Sequence, residues 1–369
     1  LSPPGALPVS GMGCDMKILL PGAAGFVGSH ALRYLLNETD ADVVCLVSME
    51  HMGVSARIRQ VADEYNSKAS QYDRGISDRV KLIRHDLRTP IDSVTIEQIG
   101  PIDVIWNIAS ESHVDRSIEQ PVPFIKNNVD LILVMLEYAR IVKPKLFLQM
   151  STDEVYGPAP LGHNHVEWET HLPSNPYSAS KSAQEAIAFS YWRTYGVPVV
   201  LTNTMNIVGE MQSSEKFVPM VMKKVAAGEA MTIHASADGL IGSRYYLHAY
   251  NLADAWMYLT NAYVMGVDLS DGPGFNIPMY GDGTDRPAKF HIVGEREVDN
   301  LQFAQMIADE MGMPLKFKLV DFHSSRPGHD LRYALDGSKM ESMGWKAPLS
   351  LDQSVSLLVK WTLDNKEWL

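Results

Sequence analysis

Two short stretches of this chain carry side chains able to move protons. Ser151-Thr152-Asp153-Glu154-Val155-Tyr156-Gly157 sets a hydroxyl beside two consecutive carboxyl groups, and Tyr177-Ser-Ala-Ser-Lys181 sets a phenol four residues from an ammonium. On a helix that spacing places Tyr177 and Lys181 on one face. An unperturbed phenol ionises near about pH 10 and is a poor base at neutrality. A neighbouring cation, together with the positive ring of an oxidised nicotinamide, favours the phenolate and brings it into a useful range. Adjacent carboxyl groups such as Asp153 and Glu154 can be held in different protonation states, one as acid and one as base. The competing reading is that both merely cap a following turn.

Such groups need a scaffold, and the pattern around them supplies one. Met16–Leu20, Asp42–Val47, Val80–Ile83, Val104–Ala109 and Lys145–Met150 are short apolar runs. Helix-length stretches such as Ser29–Asn37 and Pro123–Ile141 lie between them. This alternation predicts an α/β fold, a Rossmann-type doubly wound parallel sheet covered by helices on both faces. Strands apolar almost throughout agree with burial on both sides. Ligands of such sheets sit beyond the carboxyl ends of the strands, where Ser151–Gly157 fall. After about Asn206 loops lengthen and Gly/Pro/Asp clusters appear at 237–242 and 269–287, before helical patterns return at Asn300–Met311 and Leu351–Asp364. The expected division is a flexible leader or expression remnant (1–15), a dinucleotide-binding domain (16–205), and a smaller, mainly substrate-binding lobe (206–369) with segments returning to the first.

Pro21-Gly22-Ala-Ala-Gly25-Phe26-Val27-Gly28 follows the first strand and opens a helix. Glycines at this spacing let backbone N–H groups approach a pyrophosphate at a helix N-terminus. Ser48 stands where an acid commonly holds the adenosine ribose, with Glu50 the nearest carboxylate. NAD is the first expectation, but the missing acid weakens it relative to NADP, because a serine tolerates the 2′-phosphate that an acid repels. Asp86 is placed to contact the adenine or, equally, to cap a loop. Leu87 and Ala109 complete the expected cofactor contacts, and Arg57 and Arg59 read as surface helix residues before phosphate partners.

The 369 residues carry 32 Lys+Arg against 44 Asp+Glu, a formal charge of −12. That balance argues against nucleic acid or anionic membrane as partners. No apolar run approaches the roughly 18–20 residues of a membrane span. Two cysteines, Cys14 and Cys45, make no disulfide framework and suit a reducing compartment, and a cytoplasmic protein is expected.

With these motifs in hand, the chain resembles the extended short-chain dehydrogenase/reductases, and most closely the nucleoside-diphosphate-glucose 4,6-dehydratases, of which those acting on dTDP-glucose are the best known. The resemblance rests on Gly22–Gly28, Ser110–Ser117, Ser151–Gly157, Asn175–Lys181 and Arg326–Tyr333, and runs from Met16 onward. The Tyr/Lys pair marks the superfamily, whereas Asp153-Glu154 is what epimerases and simple reductases normally lack. The resemblance implies that Tyr177 takes the proton of the sugar 4-hydroxyl, Lys181 lowers the phenol pKa and holds the nicotinamide ribose, and Thr152 bonds near the 4-oxygen. It further implies that Glu154 abstracts the C5 proton and Asp153 protonates the departing 6-hydroxyl. Arg244 and Arg326 are implied to hold the diphosphate, with Ser112, His113, Asn206, Lys216 and His329 lining the substrate region. A homodimer is implied, with Leu131–Ile141 and Ala183–Tyr195 as its seam. An epimerase or decarboxylase of the same fold is the alternative, and a non-catalytic sensor a more distant one.

The chain departs from the dehydratase pattern in three places. It has Asn107-Ile-Ala-Ser110 for His-Leu-Ala-Ala. It has Asn206-Ile-Val-Gly-Glu210 for Asn-Asn-Tyr-Gly-Pro. It has Arg244-Tyr-Tyr-Leu-His-Ala-Tyr-Asn251 for Arg-Asp-Trp-Leu-Tyr-Val-Glu-Asp. His163, His165 and His171 cluster with Glu167 and Glu169 at mixed short spacings in a Pro-rich stretch, which favours a solvated loop over a metal site. Met205, Met211, Met220 and Met222 read as core filling.

Overall fold

The computed structural model describes residues 16–48, 54–68, 74–267, 269, 286–321 and 331–369. Its centre is a sheet of β1 (Lys17–Pro21), β2 (Asp42–Val47), β3 (Val80–Arg84), β4 (Val104–Asn107), β5 (Leu146–Thr152), β6 (Val199–Thr204) and a seventh strand, Ala288–Ile292. From one edge to the other the strands run Ala288–Ile292, β6, β5, β4, β1, β2, β3. Every pairing is parallel. The chain builds outward from β1 in one direction and from β4 in the other, so a crevice opens where strand order reverses.

Helices α1 (Phe26–Glu38), α2 (Val54–Ser67), α3 (Ile76–Arg79), α4 (Ser93–Ile99), α5 (Val114–Glu119), α6 (Pro121–Val142), α7 (Pro176–Tyr195), α8 (Phe217–Ala226) and α9 (Ala249–Val264) follow. Successive strand residues point to opposite faces. Ile18, Leu20, Val43, Cys45 and Leu148 therefore pack with Leu32 and Leu35 of α1 and Trp256 and Leu259 of α9. Leu19, Val44, Leu46, Ile105 and Phe147 pack on the other side with Ile132 and Leu136 of α6 and Ala188 of α7. A separate apolar cluster joins Val221 and Met222 of α8 to Ile233, Phe303, Ile307, Leu358 and Val359. Met205, Met211 and Met222 are buried as core residues, whereas Met220 is exposed.

The seventh strand carries no plain apolar signature. Ala288-Lys-Phe-His-Ile292 contains Lys289 and His291, both fully buried. Lys289 pairs with Glu185 of α7 at 2.8 Å, and Nε2 of His291 shares a 2.8 Å hydrogen bond with the Tyr156 hydroxyl. Buried polar groups with partners are tolerated where lone ones are not. No helix among the described residues is long and apolar enough to cross a membrane.

Candidate active site

The glycine loop is built around close backbone contacts. The Gly22 N–H donates to the Leu46 carbonyl at 3.1 Å, tying the loop to β2. A Cβ on Gly28 would lie 2.1 Å from the Gly22 carbonyl oxygen, so only glycine lets α1 begin this close beneath the turn. Gly25 offers α1 no capping side chain, and an uncapped helix start presents N–H groups and positive potential to an anion. From this loop a cleft of about 680 Å³ reaches Tyr177 and Lys181, with Phe26, Val27, Ser48, Ala109, Ser112 and Met150 among its walls. The glycine cradle, the open helix end and a cleft leading to the Tyr/Lys pair fit a dinucleotide.

At the ends of β2 and β3, Ser48, His85, Asp86, Leu87 and Arg88 line the same cleft. Asp86 lies 2.6 Å from Arg88. The hydrogen bond from the Arg88 side chain holds the Asp86 carboxyl below the usual range. It also accepts from the Arg88 backbone N–H at 3.0 Å, so it serves the turn as well as the cleft wall. Arg57 departs from the sequence reading. It is buried rather than a surface residue, donates to the Met211 carbonyl at 3.0 Å and the Ser213 hydroxyl at 3.2 Å, and lines the cleft. The turn of α2 toward the cleft places it there. Arg59 is exposed, as expected.

Beyond β5 the chain tightens into a 3₁₀ turn, Asp153–Tyr156, that ends at Gly157. Gly157 has φ +77°, and a Cβ there would meet the Leu172 carbonyl oxygen at 2.4 Å. This turn aims Asp153 and Glu154 toward the start of α7. The Thr152 hydroxyl donates to Asp153 Oδ1 at 2.9 Å, while Asp153 Oδ2 is buried without a hydrogen-bond partner. Burial pushes the Asp153 carboxyl up to about 6, against the opposing pull of the Thr152 hydrogen bond and the Arg244 charge. Glu154 Oε2 accepts from the Asn175 amide at 3.2 Å and the Tyr333 hydroxyl at 3.5 Å.

Asn175 is the hinge of this arrangement. Its Oδ1 accepts from the Ser178 N–H at 2.9 Å, capping α7, and Pro176 occupies the first helical turn. The helix then presents Tyr177, Lys181, Gln184 and Glu185 inward, all buried. The Tyr177 phenol is pushed well above its ordinary pKa by burial and by the Glu154 and Asp153 charges, against a smaller opposing pull from the Thr152 hydroxyl. The Lys181 Nζ donates to the Met150 carbonyl at 2.8 Å and the Gln184 Oε1 at 2.7 Å. Burial pulls its pKa down to about 7, offset in part by Glu185.

The expected substrate residues are only partly brought together. Ser112 lines the cleft, whereas His113 caps α5, its Nδ1 accepting from the Arg116 N–H at 3.3 Å. Asn206 is exposed, and Lys216 stands at the N-cap of α8. Arg244 donates from Nη1 to the Ser243 and Leu331 carbonyls at 2.6 Å each, and its guanidinium stacks 4.7 Å from the Tyr333 ring. Arg326 and His329 lie outside the described residues. Asn175 and Tyr333 are the Glu154 partners that acid–base spacing does not single out; their only signal is the two motifs that contain them.

Two departures from the dehydratase pattern meet in space. Glu210 is buried between Arg33 at 3.1 Å, His248 at 3.5 Å and His30 at 3.6 Å. The Arg33 charge, with the two histidines, holds its carboxyl down near about 2 despite burial. Histidine at 248 and glutamate at 210 thus answer each other. The third departure, Asn107, donates to Gln149 Oε1 at 2.6 Å.

Fold and site together define an extended short-chain dehydrogenase/reductase: a parallel sheet with a glycine loop after β1, and a threonine, tyrosine and lysine converging at β5 and α7. The chain belongs to the GDP-mannose 4,6 dehydratase family, whose model matches residues 19–358. It is 30% identical to a dTDP-glucose 4,6-dehydratase of Escherichia coli, over 96% of this chain and 95% of that protein. It is also 30% identical to the low-salt glycan biosynthesis protein Agl12 of Haloferax volcanii, over 95% and 100%. Among solved structures, the dTDP-glucose 4,6-dehydratase of Streptomyces venezuelae with NAD bound superposes with a TM-score of 0.75 at 27% identity, covering 96% of this chain and 98% of that one. The UDP-glucose 4-epimerase of Thermus thermophilus shares the fold at 22% identity and TM-score 0.71, covering 94% and 98%.

Proposed function

We propose that the protein is a nucleoside-diphosphate-hexose 4,6-dehydratase, with dTDP-glucose the foremost substrate, working in the cytoplasm as a homodimer through α6 and α7. The observation that carries this reading is that the turn holding Asp153 and Glu154 packs on α7 close enough for both charges to act on Tyr177, which lines the end of the cleft, with the Asp153 carboxyl pushed up to about 6. NAD, which the Gly22–Gly28 loop and Lys181 would hold, would supply a hydride acceptor and donor and a positive ring as counter-charge for the phenolate. The chain's own residues do the rest. Tyr177 takes the 4-hydroxyl proton, which passes on to solvent because the product keeps its 4-ketone. Glu154, held by Asn175 and Tyr333, takes the C5 proton acidified by the 4-ketone and gives a proton back to C5 as hydride reaches C6. Asp153 gives its proton to the departing 6-hydroxyl, which leaves as water, and regains one from solvent. Lys181 is assigned the nicotinamide ribose, and Arg244 and Arg326 the diphosphate, with Asn206, Lys216 and His329 assigned to the same substrate region by resemblance.

The relatives named for dTDP-glucose support the base assignment, and the NAD in the Streptomyces enzyme supports the cofactor. Ser48 with Arg57 and Arg88 favours a second reading of the cofactor alone, because guanidinium groups suit a 2′-phosphate. Mass spectrometry of the nucleotide released from purified protein decides between NAD and NADP. Incubation with dTDP-, UDP-, GDP- and CDP-glucose tests the reaction. A 4-keto-6-deoxy product lighter by one water, without net reduced cofactor, is expected. Epimerised sugar that retains its 6-oxygen overturns the reading in favour of an epimerase.

A further inference from the structure

We infer that His163, His165 and Glu169 form a binding site for one divalent transition-metal ion of the zinc class, distinct from the catalytic cleft. His165, within a few residues of the catalytic turn, is buried, and its Nδ1 lies 2.6 Å from Glu169 Oε2. His163 Nε2 lies 3.2 Å from the same oxygen, and its side chain is 47% exposed. One ligand atom from each of the three falls within 4.8 Å of the others. Two imidazoles aimed at one carboxylate oxygen is the donor set zinc favours, with metal–ligand bonds of about 2.0–2.2 Å. Seating an ion requires the donors to part by roughly an ångström or less and the imidazoles to give up the protons they now direct at the carboxylate.

The stretch is partly exposed, at Leu161, Gly162, His163 and Val166, but hydrogen bonds hold its backbone in place. Arg332 donates to the Pro160 carbonyl at 2.8 Å and the His163 carbonyl at 2.6 Å. The His165 N–H donates to the Ala334 carbonyl at 3.0 Å, and its carbonyl accepts from the Asp336 N–H at 2.8 Å. Glu169 Oε1 accepts from the Val166 N–H at 3.0 Å, which orients the other oxygen toward the imidazoles. Pre-placed ligands of this kind reduce the ordering cost of binding. His171 and Glu167 are not part of the site; His171 faces Glu185 at 3.5 Å and Glu167 accepts from the His291 N–H. His163 opens onto a separate surface cleft of about 780 Å³, so an ion has a path and a water can complete its coordination. The His165 ring stacks on Tyr156 at 5.2 Å, which ends the turn carrying Asp153 and Glu154. The ion's role is to clamp this turn.

The test uses the full chain, treated with chelator and then titrated with Zn²⁺ by calorimetry and with Co²⁺ by visible absorption. One equivalent is expected to bind, with a Co²⁺ spectrum of low-coordinate nitrogen and oxygen ligation and a raised melting temperature. His163→Ala, at an exposed position, and Glu169→Gln, which keeps the side-chain shape, are each expected to weaken binding by at least about 100-fold and abolish the thermal shift. Absence of saturable one-to-one binding, or binding equally tight in both variants, overturns the proposal.

Discussion

The Thr152 hydroxyl donates to one oxygen of Asp153 at 2.9 Å while the other oxygen is buried with no partner. A carboxyl satisfied on one side and dry on the other holds its proton to higher pH than a solvated one, and burial raises its pKa to about 6. Because the folded value lies above the unfolded one, the ionised form destabilises the fold. That penalty is full above the folded pKa and vanishes as pH falls below the unfolded one. Asp153→Asn is therefore expected to stabilise the protein by about 2–3 kcal/mol above pH 7 and by little near pH 4, while losing dehydration. Urea unfolding across pH measures this, and an unchanged or lowered stability at pH 8 would refute it.

Glu154 is held by the Asn175 amide and the Tyr333 hydroxyl, whereas the first oxidation is assigned to Tyr177. Glu154→Gln should leave that oxidation intact and stop proton removal at C5. The expected result is a slow-decaying absorbance of reduced nicotinamide on the enzyme and a turnover loss of about 10²–10⁴-fold. A variant that never reduces its cofactor would place Glu154 in the first step instead.

Lys181 titrates near neutrality because burial disfavours its charged form. Its ammonium is present below about pH 7 and lost above it. Cofactor affinity of the cofactor-free enzyme should weaken as pH rises from about 6 to about 8, and Lys181→Met should flatten that slope. Tryptophan fluorescence titration reads both; an identical slope in the variant contradicts the assignment.

Beneath the site, Lys289 and Glu185 form a buried ion pair at 2.8 Å, and Glu185 also accepts from Ser151 and from Asn203. Removing one charge leaves the other stranded, which costs about 3–5 kcal/mol. Lys289→Met should show that loss in chemical denaturation, and adding Glu185→Leu should recover most of it. No recovery in the double variant would mean that the Ser151 and Asn203 contacts, not the ion pair, dominate.

Much of this molecule is readable along the chain. The first five strands lie where short apolar runs stand, the Gly22–Gly28 spacing marks the cofactor turn, and the four-residue step from Tyr177 to Lys181 survives as one face of α7. Each of these is a local property, set by side-chain period or by backbone freedom over a few residues. Ala288–Ile292 escaped because Lys289 and His291 break its apolar pattern, and only partners over a hundred residues away make them tolerable in a core.

The amino-acid order alone determined which groups stand within one turn or one strand end of each other, because the helix and strand periods follow from backbone geometry. Only the tertiary structure decided which distant groups meet. It set the Lys181 ammonium on the Met150 carbonyl, buried Arg57 in the cleft wall, matched Glu210 with His248, and paired Lys289 with Glu185. Those outcomes turn on burial and on partners supplied by other elements, and the free energy of a charge depends on that surrounding medium far more than on its neighbours in sequence.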